Sequence, residues 1–505
     1  MKLLQIYIGL GHACLALGSH LGAYRRATAN SSVDLKSVLN DDNVKWSSPH
    51  KPVIFPGDAD FAGATTRWST YQGPTYRAAV RPETEEDVKR AVRLARDNGI
   101  PFLATGGRHG YATTLGKLQG GLAVDLSKLN TIKIDKEAGT LTVGPGVHFG
   151  EIFGPVFDAG YMIPTGTCSC VGVIGATIGA GIGRLSGIYG LLVDQLVSAR
   201  VVTADGQILV ASEKSHPDLF WGIRGAGANF GVLTSATYKL SPIVNGGNMY
   251  SYDMVFPAEK NKDYWDMLAS FDDDKSALPA KLAVVTSVEY DDKAGKARIM
   301  ASWVYYGTKE EAEPVVRPVL DIGPTFVNAT VAHWTRQGAE LAFGIDEHVC
   351  EDNKIYDIYT VSSKKLDTAT MQSAFEKMAN FYKEFPGGRD STLTIETFPT
   401  QGNLKVPDDA TAYPWRDAKY NVMVQLMWEK PNGAVERPAT RLATEIRDDI
   451  ATTSGYGGLA VYVNYGHGDE RPEQIYGAEK LRKLASIKRT WDPKNVFAFS
   501  YPIPR

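Results

Sequence analysis

A histidine in a glycine turn, a pair of cysteines in a glycine-dense stretch and two tyrosines near the C-terminus are the side chains of this sequence best suited to chemistry. The histidine lies in Thr105-Gly106-Gly107-Arg108-His109-Gly110-Tyr111, directly after the apolar run Ile100 to Ala104. A turn that closes a buried strand is a usual seat for a ligand. The cysteines lie in Gly166-Thr167-Cys168-Ser169-Cys170-Val171-Gly172, continued by Gly175, Gly179, Gly181 and Gly183. A glycine inside an ordinary helix or strand costs roughly 0.5–1 kcal/mol relative to alanine, so this density argues for backbone that approaches a flat ligand closely. An imidazole nitrogen and a thiolate are both nucleophiles. Leu459 to Tyr465, read as a strand, carries the hydroxyls of Tyr462 and Tyr465 and the amide of Asn464.

Other chemistries find less support. The nine histidines are scattered and form no His-Glu-x-x-His or Cys-x-x-Cys arrangement, so no metal is expected. The formal net charge of -3 offers no basic field for nucleic acid. Gly179-Ala180-Gly181-Ile182-Gly183 and Gly225-Ala226-Gly227 do not complete the dinucleotide fingerprint between a strand and a helix. Four cysteines are too few for a disulfide scaffold. Cys14 falls in an apolar N-terminal run, Leu3 to about Leu17, that reads as a secretory signal ending near residue 23 and is too short for a membrane span. That leaves Cys168, Cys170 and Cys350, an odd number in an oxidising compartment, so one thiol needs another fate. Asn30 and Asn328 head glycosylation sequons on that route.

The elements that must position these residues are mixed. Pro82 and the Thr84-Glu85-Glu86-Asp87 cap start a helix with Val88, Ala91, Val92 and Ala95 on one face, and Gly99 stops it. Leu122 to Leu126, Ile132 to Ile134 and Leu141 to Val143 read as strands, and Phe149 to Asp158 as a helix. Val197 to Val210 forms a hairpin around Asp205-Gly206, Pro217 opens a short helix, and a strand starts at Val232. Past about Asn245 the glycine density falls, and Leu282 to Tyr290, Arg298 to Tyr306 and Tyr420 to Trp428 read as strands of a half-buried sheet. Ala478 to Arg489 closes the chain as a helix. With 505 residues, 43% of them hydrophobic, two domains are expected.

Taken together, Gly107-Arg108-His109-Gly110-Tyr111, the Gly166 to Gly172 stretch, Asp218 to Gly225, Asn229-Phe230-Gly231, Tyr462-Val463-Asn464-Tyr465 and Asp492 to Phe497 resemble the covalent FAD oxidases of the berberine bridge enzyme-like group. The resemblance covers nearly the whole chain after the N-terminal run. It implies an α+β, vanillyl-alcohol oxidase type two-domain FAD-binding fold with an antiparallel-sheet substrate domain. The FAD domain is expected from residues 47–244 plus 457–505, with a PCMH-type core at about 71–242, and the substrate domain from 245–456. FAD would be linked through His109 and also through Cys168, favoured by its spacing to Val171-Gly172 over its competitor Cys170. Gly106, Gly107, Arg108, Gly110 and Tyr111 would frame the cofactor; Gly172, Gly175, Gly179 and Gly181 would approach its pyrophosphate and ring system. Asn229, Gly231 and Val232 would lie by its adenine, and Asn464 would position the flavin. Where the family commonly has a histidine, this chain has Ala176, which leaves that contact open.

The reaction so implied is oxidation of a small-molecule alcohol or amine, with hydride passing to the flavin and O2 reduced to hydrogen peroxide. Tyr462 and Tyr465 are the candidates for the base, and Tyr111, Tyr189, Glu396, Trp428 and Glu429 for pocket walls. A secreted enzyme of specialised-metabolite biosynthesis fits these features. A carbohydrate oxidase, a flavin protein steering a redox-neutral cyclisation, and a ligand-binding protein are the alternatives.

Overall fold

The computed structural model describes residues 33–273, 277–429 and 433–505. The expected signal segment and Asn30 lie outside the described residues.

Three main sheets organise the chain. In the first, strands Tyr76–Val80, Gly121–Asp125 and Phe102–Thr105 run parallel, with Val53–Ile54 antiparallel at the edge. Helix Glu85–Asp97 covers it. Thr84 caps that helix by accepting from the Asp87 amide, and Val88, Ala91, Val92 and Ala95 are all buried beneath it. The second sheet is antiparallel, in the order Ile132–Asp135, Thr140–Val143, Val232–Lys239, Leu196–Val202, Ile208–Ser212.

The third sheet has seven antiparallel strands: Phe326–His333, Asn248–Pro257, Lys296–Tyr305, Leu282–Asp291, Thr392–Thr397, Tyr420–Leu426 and Asp357–Ser363. One face buries Val284, Ile299, Trp303, Ile395 and Val424 under helices Asn261–Ala269, Thr368–Glu384 and Gly433–Thr453. Side chains alternate between the faces of a strand, so residues 285, 287 and 289, or 392, 394 and 396, look the other way, towards the glycine-rich loops.

Two expectations fail locally. The glycine-dense stretch contains one short helix, Val173–Thr177, which starts after Gly172 and ends before the glycines at 179 and 181. Leu459 to Tyr465 is not a strand. The Ala460 carbonyl accepts from Ser362 and the Val461 amide donates to Gln474, two unrelated partners, and Val463–Tyr465 then winds into a 3-10 turn. That turn brings the rings of Tyr462 and Tyr465 edge to face at 4.8 Å, where a strand's alternation would set 462 and 465 on opposite faces.

Candidate active site

Between the glycine loops and the open face of the seven-stranded sheet lies a cavity of about 1050 Å3. Its loop wall is backbone pressed on backbone. A Cβ added to Gly106 would sit 1.9 Å from the Pro145 carbonyl oxygen, and one on Gly107 would sit 2.8 Å from the Gly172 nitrogen. One on Gly179 would strike Asn464 Oδ1 at 2.1 Å, whereas Gly175 faces open cavity with nothing within 4 Å. Arg108 adopts a left-handed φ of 53°, and its guanidinium turns away to pair with Asp125 at 2.9 Å. The Gly110 carbonyl accepts from Arg67 Nη2 at 2.7 Å. A flat group of flavin size fits a wall from which side chains have been removed, and the volume exceeds what one small ligand needs.

His109 and Cys168 both line this cavity. The His109 ring stacks on Trp68 with centroids 4.4 Å apart, and Trp68 stacks in turn on Tyr356 at 3.8 Å. Burial above all, helped by His148 and Arg67, pushes the His109 imidazole down to about 4, so the ring is neutral with a lone pair to offer. Cys170 is bonded to Cys350 across 180 residues, which leaves Cys168 as the free thiol among the described residues. Of the two neighbouring cysteines, Cys168 is thus the one that keeps its thiol. Burial, with the Asp346 and Glu396 carboxylates adding to it, pushes the Cys168 thiol up to about 12.

On the far side stands Glu396, on strand Thr392–Thr397. The Tyr465 hydroxyl donates to Glu396 Oε1 at 3.2 Å, while Oε2 is buried with no partner. Burial raises this carboxyl to about 7. The Tyr111 hydroxyl, also buried and unpartnered, lines the same space. Tyr462 reaches the cavity, but its hydroxyl is a hub that accepts from the Gly181 amide at 3.0 Å and from Asn464 Nδ2 at 2.7 Å. Asn464 Nδ2 also donates to the Ala176 carbonyl at 2.8 Å. Burial holds Tyr462 up at about 12 and Tyr465 well above the ordinary phenol range, so neither tyrosine ionises near neutral pH.

The remaining expected residues divide. Gly172, Gly181, Asn229, Gly231 and Val232 line the cavity. The Asn229 amide is occupied by the protein itself, donating to the Tyr476 hydroxyl at 3.1 Å and accepting from the Ile503 amide at 3.1 Å. Tyr189, Trp428 and Glu429 do not reach the site. The Tyr189 hydroxyl donates to the Pro242 carbonyl, Trp428 is buried in the core beneath the sheet, and Glu429 is exposed. Strand alternation explains Trp428, which shares a side with buried Val422, Val424 and Leu426, while Met423, Gln425 and Met427 line the cavity. Sequence reading missed Arg67 and Trp68, which no local motif marks.

A glycine-walled cavity carrying a neutral imidazole, a free thiol and a buried carboxyl, set between a partly parallel loop-bearing sheet and a broad antiparallel one, defines a flavin-dependent oxidoreductase. The family model for an FAD binding domain matches residues 76–212, and the one described as berberine and berberine like matches 461–504. A FAD-linked oxidoreductase of Pyricularia oryzae is 48% identical over 99% of this chain and 98% of its own length. Another, from Neurospora crassa, is 45% identical over 97% of each chain. Among solved structures, a berberine bridge enzyme-like protein of Physcomitrella patens superposes with a TM-score of 0.79 at 23% identity, covering 94% of this chain and all of that one, which is a likeness of fold. The chain belongs to the FAD-linked oxidoreductases of the berberine bridge enzyme-like family. It is an FAD enzyme of α+β, vanillyl-alcohol oxidase type architecture.

Proposed function

We propose that this enzyme holds FAD covalently through His109 and Cys168 and oxidises a small-molecule alcohol or amine, with Glu396 as the base. One observation carries this reading: a single cavity has a neutral imidazole and a free thiol on its glycine wall and, facing them, a carboxyl with one unpartnered oxygen. When bound, FAD supplies the acceptor for the substrate's hydride and passes the electrons to O2, giving hydrogen peroxide. Glu396 Oε2 takes the proton of the substrate hydroxyl or amine, and the Tyr465 hydroxyl holds the carboxylate in place through Oε1. A base with a pKa near the working pH is the efficient choice. The base is therefore assigned to Glu396 in place of Tyr462 and Tyr465. Tyr462 and Asn464 brace the backbone at Gly181 and Ala176 beside the ring system. Gly175 leaves room for it, while Gly106, Gly107, Gly172 and Gly179 let the loops that carry it pack closely on each other and on Asn464.

In this reading residues 47–244 with 457–505 form the FAD lobe and 245–456 the substrate lobe. Residues 1–23 direct secretion, and Asn328, exposed on the edge strand, is open to glycosylation. Acid denaturation and proteolysis of protein recovered from culture medium, followed by mass spectrometry, test the linkage. Flavin-mass adducts are expected on both the His109 and Cys168 peptides, with the mature N-terminus and any Asn328 glycan read in the same digest. Flavin released free by acid would overturn the covalent reading. Peroxide release from an alcohol or amine panel tests the reaction.

A further inference from the structure

The open face of the seven-stranded sheet carries an ordered ladder of side chains. Three rows of side chains cross it from the site outwards. The inner row holds Glu396, whose strand partner is Val285, with Ser302 opposite Val285. The middle row runs Met300, Ser287, Thr394, Met423. The Ser287 and Thr394 hydroxyls bond each other at 3.1 Å, so this row spends its polarity internally and presents methyl and thioether surface. In the outer row Arg298 faces Glu289, and Gln425 stands opposite Thr392. All these residues line the one cavity.

The two ends of this ladder share a feature the middle lacks. At the inner end Glu396 Oε2 is buried without a partner; at the outer end Arg298 Nε is buried without a partner. The charge of Arg298 is already matched. Its Nη1 lies 3.3 Å from Asp291 and its Nη2 4.0 Å from Glu289. Of its N–H donors, Nε is the one left buried without a partner, on a guanidinium whose charge two carboxylates match. Such a donor favours a neutral acceptor oxygen over an anion, because a third carboxylate would face Glu289 and Asp291. A strand rises about 3.3 Å per residue, so the four steps from Val285 to Glu289 separate the two ends by about 13 Å.

We infer that the substrate is an elongated molecule whose oxidised carbon sits at Glu396, whose apolar middle crosses Met300 and Met423, and whose far end carries a neutral oxygen acceptor bound by Arg298 Nε. The oxidised end rests on the reading of Glu396 as the base; the far contact does not.

Three benzyl alcohols serve as probes, each with a para-linked chain of five or six methylenes ending in hydroxyl, carboxylate or methyl. Dissociation constants come from perturbation of the flavin absorbance without oxygen, and turnover from peroxide release. Wild-type enzyme is expected to bind the hydroxyl-ended probe about tenfold more tightly than the methyl-ended one, the size of one hydrogen bond from a charged donor, and no less tightly than the carboxylate. Arg298→Met should erase that preference. So should Arg298→Lys, which keeps the cation between Glu289 and Asp291 but has no Nε, and so separates lost contact from lost folding. Equal binding of hydroxyl and methyl ends by the wild type, binding of none of the probes, or an unchanged preference in Arg298→Lys overturns the inference. An Arg298-dependent preference without peroxide from any probe upholds the distal contact and sinks the oxidation reading instead.

Discussion

The two walls of the cavity are built on opposite plans. The loop wall, from Gly106 to Gly183, works by omission, since side chains are absent where a Cβ would strike Pro145, Gly172 or Asn464. The sheet wall works by addition, presenting Glu396, Thr394, Met300, Met423 and Arg298 at alternate positions of a regular lattice. Backbone packed that tightly suits a ligand that never changes, whereas alternating side chains on a rigid sheet can be exchanged singly without disturbing the strands beneath. On the function proposed above, cofactor and substrate are recognised by different physics within one space.

The largest expected effect lies on the loop wall. Gly106→Ala puts a methyl group 1.9 Å from a backbone oxygen that no rotamer change can move. It should abolish flavin retention or soluble protein altogether, read from the flavin-to-protein absorbance ratio; a variant with a full flavin complement would show that the two loops are not so closely packed.

On the sheet wall a change of comparable severity should spare the fold. Glu396→Gln is expected to lower kcat by about 10²–10⁴-fold, the usual contribution of a positioned base, while flavin content stays intact. In the wild type kcat/KM should fall as pH drops through about 7, because the base works as the carboxylate. That limb should vanish in the variant. The sign for stability is opposite. The folded pKa is raised from 4.5, so burial of Glu396 is favourable at low pH and that contribution is lost as pH rises through about 7. Glu396→Gln should therefore melt higher than wild type at pH 8 and close to it at pH 5. Equal melting at both values would mean that the carboxyl is better solvated than its burial indicates.

The smallest effect joins the two walls. Cys170→Ser with Cys350→Ser removes a crosslink closing 180 residues, for which about 2–4 kcal/mol is typical. Thermal stability should drop by several degrees while a flavin adduct remains on the Cys168 peptide. Loss of the adduct as well would make the disulfide part of the attachment site.

The unequal legibility of the sequence follows from the same contrast. The helix Glu85–Asp97 was readable because Thr84, the acidic first turn and Val88, Ala91, Val92 and Ala95 all lie within one short window. The glycine loops were readable because their density has no other economical explanation. Tyr462 to Tyr465 misled because apolar alternation imitates a strand, while the 3-10 turn depends on Ser362, Thr360 and Gln474, which are far off in the chain. Glu396 stood among several pocket candidates because alternation shows that 392, 394 and 396 share a face but not which face meets the cavity. Only pairing with strand Leu282–Asp291 settles that. Arg67 acts through a contact 43 residues away and left no local trace.

The disulfide between Cys170 and Cys350 also decides which sulfur stays available. The described residues hold three cysteines, and Cys168 stands only two positions from Cys170. A chain that pairs Cys168 with Cys350 has spent the thiol that faces the cavity and left Cys170 in its stead. The native pairing does the reverse, joining the glycine loops to the residue that follows helix Asp346–Val349. The crosslink therefore does two things at once: it fixes residue 350 beside the glycine loops, and it leaves the neighbouring sulfur unspent.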